Sequence, residues 1–280
     1  MKMPDKEKFY ATMASLQSHA MKAACPIYAI DDDVGFLTGS GFLLDVAGET
    51  LLVTAAHVFY VRHEHPLYLP GEGKPVSFGG QAFYTGPKVK VQYPNFGYDF
   101  ACIRLKPESV AASTGCLRLT PDDLDVSDVP GPQTLYGFAG FPGDANETLP
   151  YYKLPRNAHY YGGQPATPDT YQQLAYNIET HFVMTFDHNA MVDDKGKVMP
   201  VPEPFGMSGG PVWRLGSFQE LETGSAKPRV IGVTVTWSEQ LHVLSAVRIA
   251  LIVAALRDAL PHLASSLPTP KYVGANVSIK

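Results

Sequence analysis

Three stretches of this 280-residue chain place reactive side chains where they could work together. Val53-Thr54-Ala55-Ala56-His57 ends an apolar run in a small pair and an imidazole. Tyr98-Asp99-Phe100-Ala101-Cys102-Ile103 sets a carboxylate directly before an apolar strand. Phe205-Gly206-Met207-Ser208-Gly209-Gly210-Pro211 puts a hydroxyl between glycines. A serine attacks a carbonyl only when a base takes its proton, and an imidazole is an efficient base once a carboxylate fixes its tautomer. The developing oxyanion then needs amide N–H groups turned toward it, which a Gly-rich loop can supply. Singly, each stretch has a plainer reading. His57 can be a strand-end residue, Asp99 a turn residue and Ser208 an incidental member of a turn. Together, in one chain and each at the edge of strand-like sequence, they point to nucleophilic acyl transfer.

The elements that must position them are mostly strands. Residues 5–24 read as a helix, with Phe9, Met13, Leu16 and Ala20 on one face. Then 26–30, 39–44 and 50–54 read as strands, the last two joined by a turn at Ala47-Gly48. Further strands are expected at 89–93, 100–105, 133–137, 174–180, 181–186, 230–237 and 243–247. A turn is expected at 193–197, a last helix at about 247–260, and a loose tail from Pro268. The 25 glycines and 24 prolines are dispersed, as in folds with many short strands. The expected architecture is mainly β, two packed antiparallel β-barrels with an N-terminal and a C-terminal helix. The expected divisions are a helical extension at 1–25, one two-barrel domain at 26–265 with its internal boundary near 115–132, and a flexible tail at 266–280.

Composition narrows the function. Hydrophobic residues make up 45% and charged residues 18%, enough apolar material for a real core. A formal net charge of -5 with no basic run argues against a nucleic-acid partner. The start of the chain has no apolar leader segment, and the longest apolar run, 249–256, falls short of the roughly 20 residues that span a bilayer. A cytoplasmic protein without a membrane partner is expected. Cys25, Cys102 and Cys116 form no paired framework and are expected reduced. His63 and His65 lack an evident third ligand, and His159, His181 and His188 carry no ligand spacing, so neither metal nor cofactor is expected. Tyr151, Tyr152, Tyr160 and Tyr161 read either as lining a peptide groove or as exposed strand aromatics.

Gly-Ser-Gly-Phe-Leu-Leu at 39–44, Thr-Ala-Ala-His at 54–57, Asp-Phe-Ala at 99–101 and Gly-Met-Ser-Gly-Gly-Pro-Val at 206–212 resemble the trypsin/chymotrypsin-like serine peptidases, in a version similar to their bacterial, non-secreted branch. The order His, Asp, Ser along the chain is the order of that family. The resemblance implies Ser208 as nucleophile, His57 as general base and then acid, and Asp99 as its orienting carboxylate. It implies the N–H groups of Gly206 and Ser208 as oxyanion hole, and a protein or peptide substrate. It also implies that the strand holding Val235, Thr236 and Trp237 pairs with the substrate backbone. An esterase using the same triad, or a binding module with the triad idle, are the alternatives. The chain departs from secreted relatives at Val58, where many have a disulfide cysteine, and at Met207, where digestive members have an aspartate. Pro202, beside Glu203, stands where that family has the base of its primary pocket. A free-standing protease must be restrained, so a regulatory protein partner or trigger is expected.

Overall fold

The computed structural model describes residues 6–32, 34–85, 98–143, 149–150, 157–189, 198 and 201–271. Helix α1 (Lys6–Ala23) opens the chain. Strands β1 (Ala24–Asp31), β2 (Val34–Val46), β3 (Glu49–Thr54), β4 (Leu67–Leu69), β5 (Val76–Ser77), β6 (Gly80–Tyr84) and β7 (Ala101–Leu105) follow in the first sheet, ordered β5-β4-β1-β2-β3-β7-β6. Two short strands, β8 (Arg118–Leu119) and β10 (Leu149–Pro150), pair with β2 off this path. The second sheet is ordered β11-β9-β13-β14-β15-β12. Its strands are β9 (Thr134–Gly140), β11 (His159–Gly163), β12 (His181–Thr185), β13 (Pro211–Ser217), β14 (Arg229–Ser238) and β15 (Val243–Arg248). Short helices α2 (Ala56–Tyr60), α3 (Pro107–Ala112), α4 (Pro168–Gln173) and α5 (Phe218–Thr223) lie between strands, and α6 (Ile249–Ala259) follows β15. The architecture is mainly β: two curled half-barrel sheets with an N-terminal and a C-terminal helix, as in a trypsin-like double barrel. Among the described pairings between these strands all are antiparallel except β2 with β8; the isolated Leu124–Val230 bridge is also parallel.

The apolar runs of the sequence are what the sheets bury. Phe42, Leu44, Leu51, Val53 and Cys102 are sealed in one cluster, which continues through Phe141, Trp213 and Val233 into the second sheet. A separate cluster fills the second sheet, with Tyr136, Phe138, Phe182 and Met207. Helix α1 buries Leu16, Ala20 and Ala23, sets the His19 ring edge-on to Trp213 at 5.5 Å, and stacks Phe9 on Phe218 at 6.5 Å. Its expected apolar face is thus the face that packs. Among the described residues no helix is long and apolar enough to cross a membrane.

Three expectations are corrected. Residues 174–180 are not a strand. Helix α4 ends at Gln173, Ala175 has φ 53°, and the Asn177 side chain accepts from the Glu179 N–H at 2.8 Å while its carbonyl accepts from His181 N–H at 2.8 Å. An asparagine that satisfies the backbone locally competes with a sheet ladder. Tyr160 and Tyr161 are strand aromatics of β11, but Tyr161 is buried rather than exposed or groove-lining: it is 1% exposed and donates to the Pro202 carbonyl, while Tyr160 donates to the Tyr136 carbonyl. Leu267, placed within the expected tail, is buried against the core at the end of the helical turn Pro261–Ser266. The expected strand at 89–93, the turn at 193–197, and Tyr151 and Tyr152 lie outside the described residues.

Candidate active site

His57 and Asp99 meet because of strand register. Thr54 on β3 pairs with Ala101 on β7, so the residues just beyond Thr54 run beside those just before Ala101. Ala55 and Ala56 are buried and small, and His57 is the second residue of α2. One carboxylate holds it twice. The His57 backbone N–H donates to Asp99 Oδ1 at 3.0 Å, and ring Nδ1 lies 2.6 Å from Oδ2. That short contact puts the ring proton on Nδ1 and leaves Nε2 as the acceptor. Burial pulls the His57 pKa down, but the Asp99 charge and hydrogen bond pull it up by more, so it stands above the ordinary imidazole value. Behind the pair, Thr85 Oγ1 exchanges hydrogen bonds with the Phe100 backbone, and the Tyr60 hydroxyl donates to the Thr85 carbonyl at 2.6 Å. Burial, with the Tyr84 and Asp99 charges, pushes Tyr60 up to about 12, so it remains a donor.

Ser208 sits in a loop that two sheets grip. Met207 N–H closes a turn on the Pro204 carbonyl at 3.0 Å, with Gly206 at φ 89°. A Cβ at Gly206 would stand 2.7 Å from the Phe141 carbonyl oxygen, so the position needs glycine for both φ and space. Gly209, at φ 90°, is tighter still. A Cβ there would lie 2.0 Å from the Ser40 carbonyl oxygen and 2.1 Å from Thr54 Oγ1. Met207 is fully buried beneath the loop, among Phe138 and Phe182. Gly209 N–H bonds Thr234 at 2.7 Å, and Thr234 N–H bonds Gly210 at 2.9 Å, which ties the loop to β14. Ser208 Oγ donates to the Val235 carbonyl at 3.4 Å. Among the described residues, no group accepts from the N–H of Gly206 or of Ser208.

A cavity of about 330 Å³ joins these groups, with His57, Asp99, Ser208 and Gly206 on its wall. The expected Val235, Thr236 and Trp237 also line it. Phe205, 63% exposed, meets Trp237 edge-on at 5.3 Å and forms part of the rim. Pro202 does not line this cavity; the structure brings Pro204 and Phe205 to it instead. His65 faces Asp31 at 3.9 Å, and among the described residues no three His, Cys, Asp or Glu side chains converge as a metal site. The three cysteines are free.

Two residues to which the sequence pattern assigns no role belong to this site. Ser40, completely buried on β2, gives its N–H to the Ser208 carbonyl at 2.8 Å and its hydroxyl to the Gly206 carbonyl at 2.9 Å. The same hydroxyl accepts from Phe141 N–H at 3.0 Å. Its own carbonyl accepts from Thr54 Oγ1 at 2.6 Å. One serine of the first sheet therefore pins the loop that carries Ser208 and the end of β9. The only signal was its place between two glycines at 39–41. His181, without ligand spacing in the sequence, also lines the cavity.

No protein-family model matches the chain, and no curated protein matches its sequence. Solved structures do match in shape. A scabies mite inactivated protease paralogue, S-D1, superposes with a TM-score of 0.52 at 13% identity, over 91% of this chain and 96% of that one. A chain from work on coupled folding and binding of the Sesbania mosaic virus VPg protein gives 0.44 at 16% identity, over 81% and 87%. At 13% identity the mite paralogue establishes likeness of fold: the chain has the architecture of a trypsin-like protease paralogue.

Proposed function

We propose that this protein is a serine endopeptidase similar to the bacterial, non-secreted trypsin-like enzymes, acting in the cytoplasm on protein or peptide substrates. The observation that carries the reading is the double grip of Asp99 on His57 at one wall of the cavity that also holds Ser208 and Gly206. In the proposed cycle Ser208 Oγ exchanges the Val235 carbonyl for His57 Nε2. It then passes its proton to that nitrogen as it bonds the substrate carbonyl carbon. The free N–H groups of Gly206 and Ser208 receive the oxyanion. His57 returns the proton to the leaving amine, and water releases the acyl group by the same route. Met207, an apolar anchor where digestive relatives use an aspartate, argues that the site forms without cleavage of the chain's start.

The mite paralogue is inactivated, so the fold is compatible with an idle site, and the reading rests on the three side chains rather than on the likeness. The test is intact-mass spectrometry after fluorophosphonate treatment. Full-length, unprocessed chain should gain one label and Ser208→Ala none, with peptide hydrolysis by the variant down by several orders of magnitude. An unlabelled wild type that cleaves no peptide would leave the binding module as the better account. A labelled wild type that turns over esters but no peptide would favour the esterase.

A further inference from the structure

The cavity contains a second imidazole that the cycle above does not use. His181 begins β12, opposite Val247 on β15, and is 5% exposed. Its ring lies flat on Tyr176, centroids 4.1 Å apart and planes 2° apart, and the Tyr98 ring is 6.1 Å away. With one face covered by Tyr176 and the residue 5% exposed, the imidazole has little free surface. Nδ1 is engaged by Thr180 Oγ1 at 2.9 Å. That hydroxyl gives its proton to the Asn177 carbonyl at 3.1 Å, so it accepts from Nδ1. The ring also donates to the Asn177 carbonyl, the one that the Thr180 hydroxyl touches, so its proton lies on that side and Nε2 is the remaining acceptor. Because His181 is nearly all buried and also lines the cavity, the accessible edge is the cavity wall. Burial lowers its pKa to about 4, so the ring is neutral wherever His57 could act as base. Among the described lining residues, Asp99 is the one carboxylate, and it is already bound twice by His57.

We propose that His181 Nε2 forms a specificity subsite for a neutral substrate side chain tipped by a hydroxyl or carboxamide, which donates to it. The proposal rests on the peptidase reading and adds to it a substrate class. Thr236 and Val247 supply the small and apolar parts of the wall along which such a side chain lies. A charged side chain would enter without a free counter-ion and lose its hydration. An apolar one would leave Nε2 without a partner.

The test is a set of matched peptides, varied in turn at each position flanking the scissile bond: Tyr against Phe, Thr against Val, Gln against Met, and Gln against Glu. At the position that enters the cavity, full-length wild type should favour the first member of each pair in kcat/KM by about five- to tenfold, the scale of one neutral hydrogen bond. His181→Phe keeps a flat ring for Tyr176 but no nitrogen. It should bring the first three ratios to near one. Equal rates within every pair in the wild type would overturn the proposal, and that result needs no variant to fold. Discrimination that survives in His181→Phe would also overturn it. Cleavage of no peptide at all would instead sink the peptidase reading, and the subsite with it.

Discussion

In the proposed cycle two residues set the chemistry of the site and a third sets its geometry. Because Asp99 raises the His57 pKa, the rising limb of kcat/KM against pH should lie above the ordinary imidazole value of about 6.5. The stability linkage has the opposite sense. A raised histidine pKa contributes stability in full below about 6.5, and the contribution is lost as pH climbs through the raised value. Activity therefore appears as that contribution leaves. In Asp99→Asn the charge that raises the ring's pKa is gone, so the limb should move to lower pH and kcat should drop by about 10⁴. A pH–rate profile with an unmoved limb would contradict the assignment. Ser40→Ala strips the part-buried Gly206 carbonyl and the buried Phe141 N–H of one partner. It should cost about 1–3 kcal/mol of stability. As a positioning residue, Ser40 should lower kcat about ten- to a hundredfold while KM and the pH limb stay put. Steady-state kinetics beside a thermal melt would read both effects, and a lost melt with unchanged kcat would make Ser40 structural only.

At the scale of elements, the loop from Pro204 to Gly210 is the part on which the site depends. It is held from below by an apolar side chain, from one side by β2 and from the other by β14. Met207→Leu is nearly volume-conserving and should cost less than about 1.5 kcal/mol, with labelling of Ser208 intact. Met207→Asp would place a carboxylate among Phe138 and Phe182. It should cost several times more, on the order of 3 kcal/mol, and abolish labelling. Thermal unfolding and fluorophosphonate labelling of the two variants give the comparison. A stable, fully labelled Met207→Asp protein would mean that something other than apolar packing anchors the loop. The strands around this loop were readable because each is a run of alternating or continuous apolar residues. The segment 174–180 was not, because Leu174, Ala175, Tyr176 and Ile178 match a strand in composition while Asn177 turns the backbone on itself.

Across the whole molecule, the stretch joining the two sheets is fastened to both. Leu119 pairs with Leu44 in the first, and Leu124 bridges Val230 in the second. Farther along, Asp128 is buried beside Arg248 and Arg214, and the Arg248 guanidinium donates to the Asp128 carbonyl. Burial outweighs these cations and pushes the Asp128 carboxyl up to about 6. A raised acid favours the folded state while it is protonated. Stability should therefore fall as pH rises from about 4, the unfolded value, through about 6. Asp128→Asn should remove that slope, which melting temperatures measured between pH 4 and 7 would reveal. A slope of the same size in the variant would assign it to other groups.

The amino-acid sequence alone determined the identities of His57, Asp99 and Ser208, their order, and the strands that end beside them. Those signals are local: a small pair before an imidazole, an acid before an apolar run, a serine among glycines. Apolar periodicity likewise marked β2, β3, β14, β15 and the packed face of α1, because burial on a sheet or helix imposes its period on neighbouring residues. What only the tertiary structure decided are contacts between distant residues. Ser40 reaches Gly206 across 166 positions and Arg248 reaches Asp128 across 120. His181 enters the cavity through the pairing of β12 with β15. No spacing rule encodes such meetings, since they follow from how two sheets curl and pack, and a serine or histidine is compatible with many neighbours until the fold supplies them.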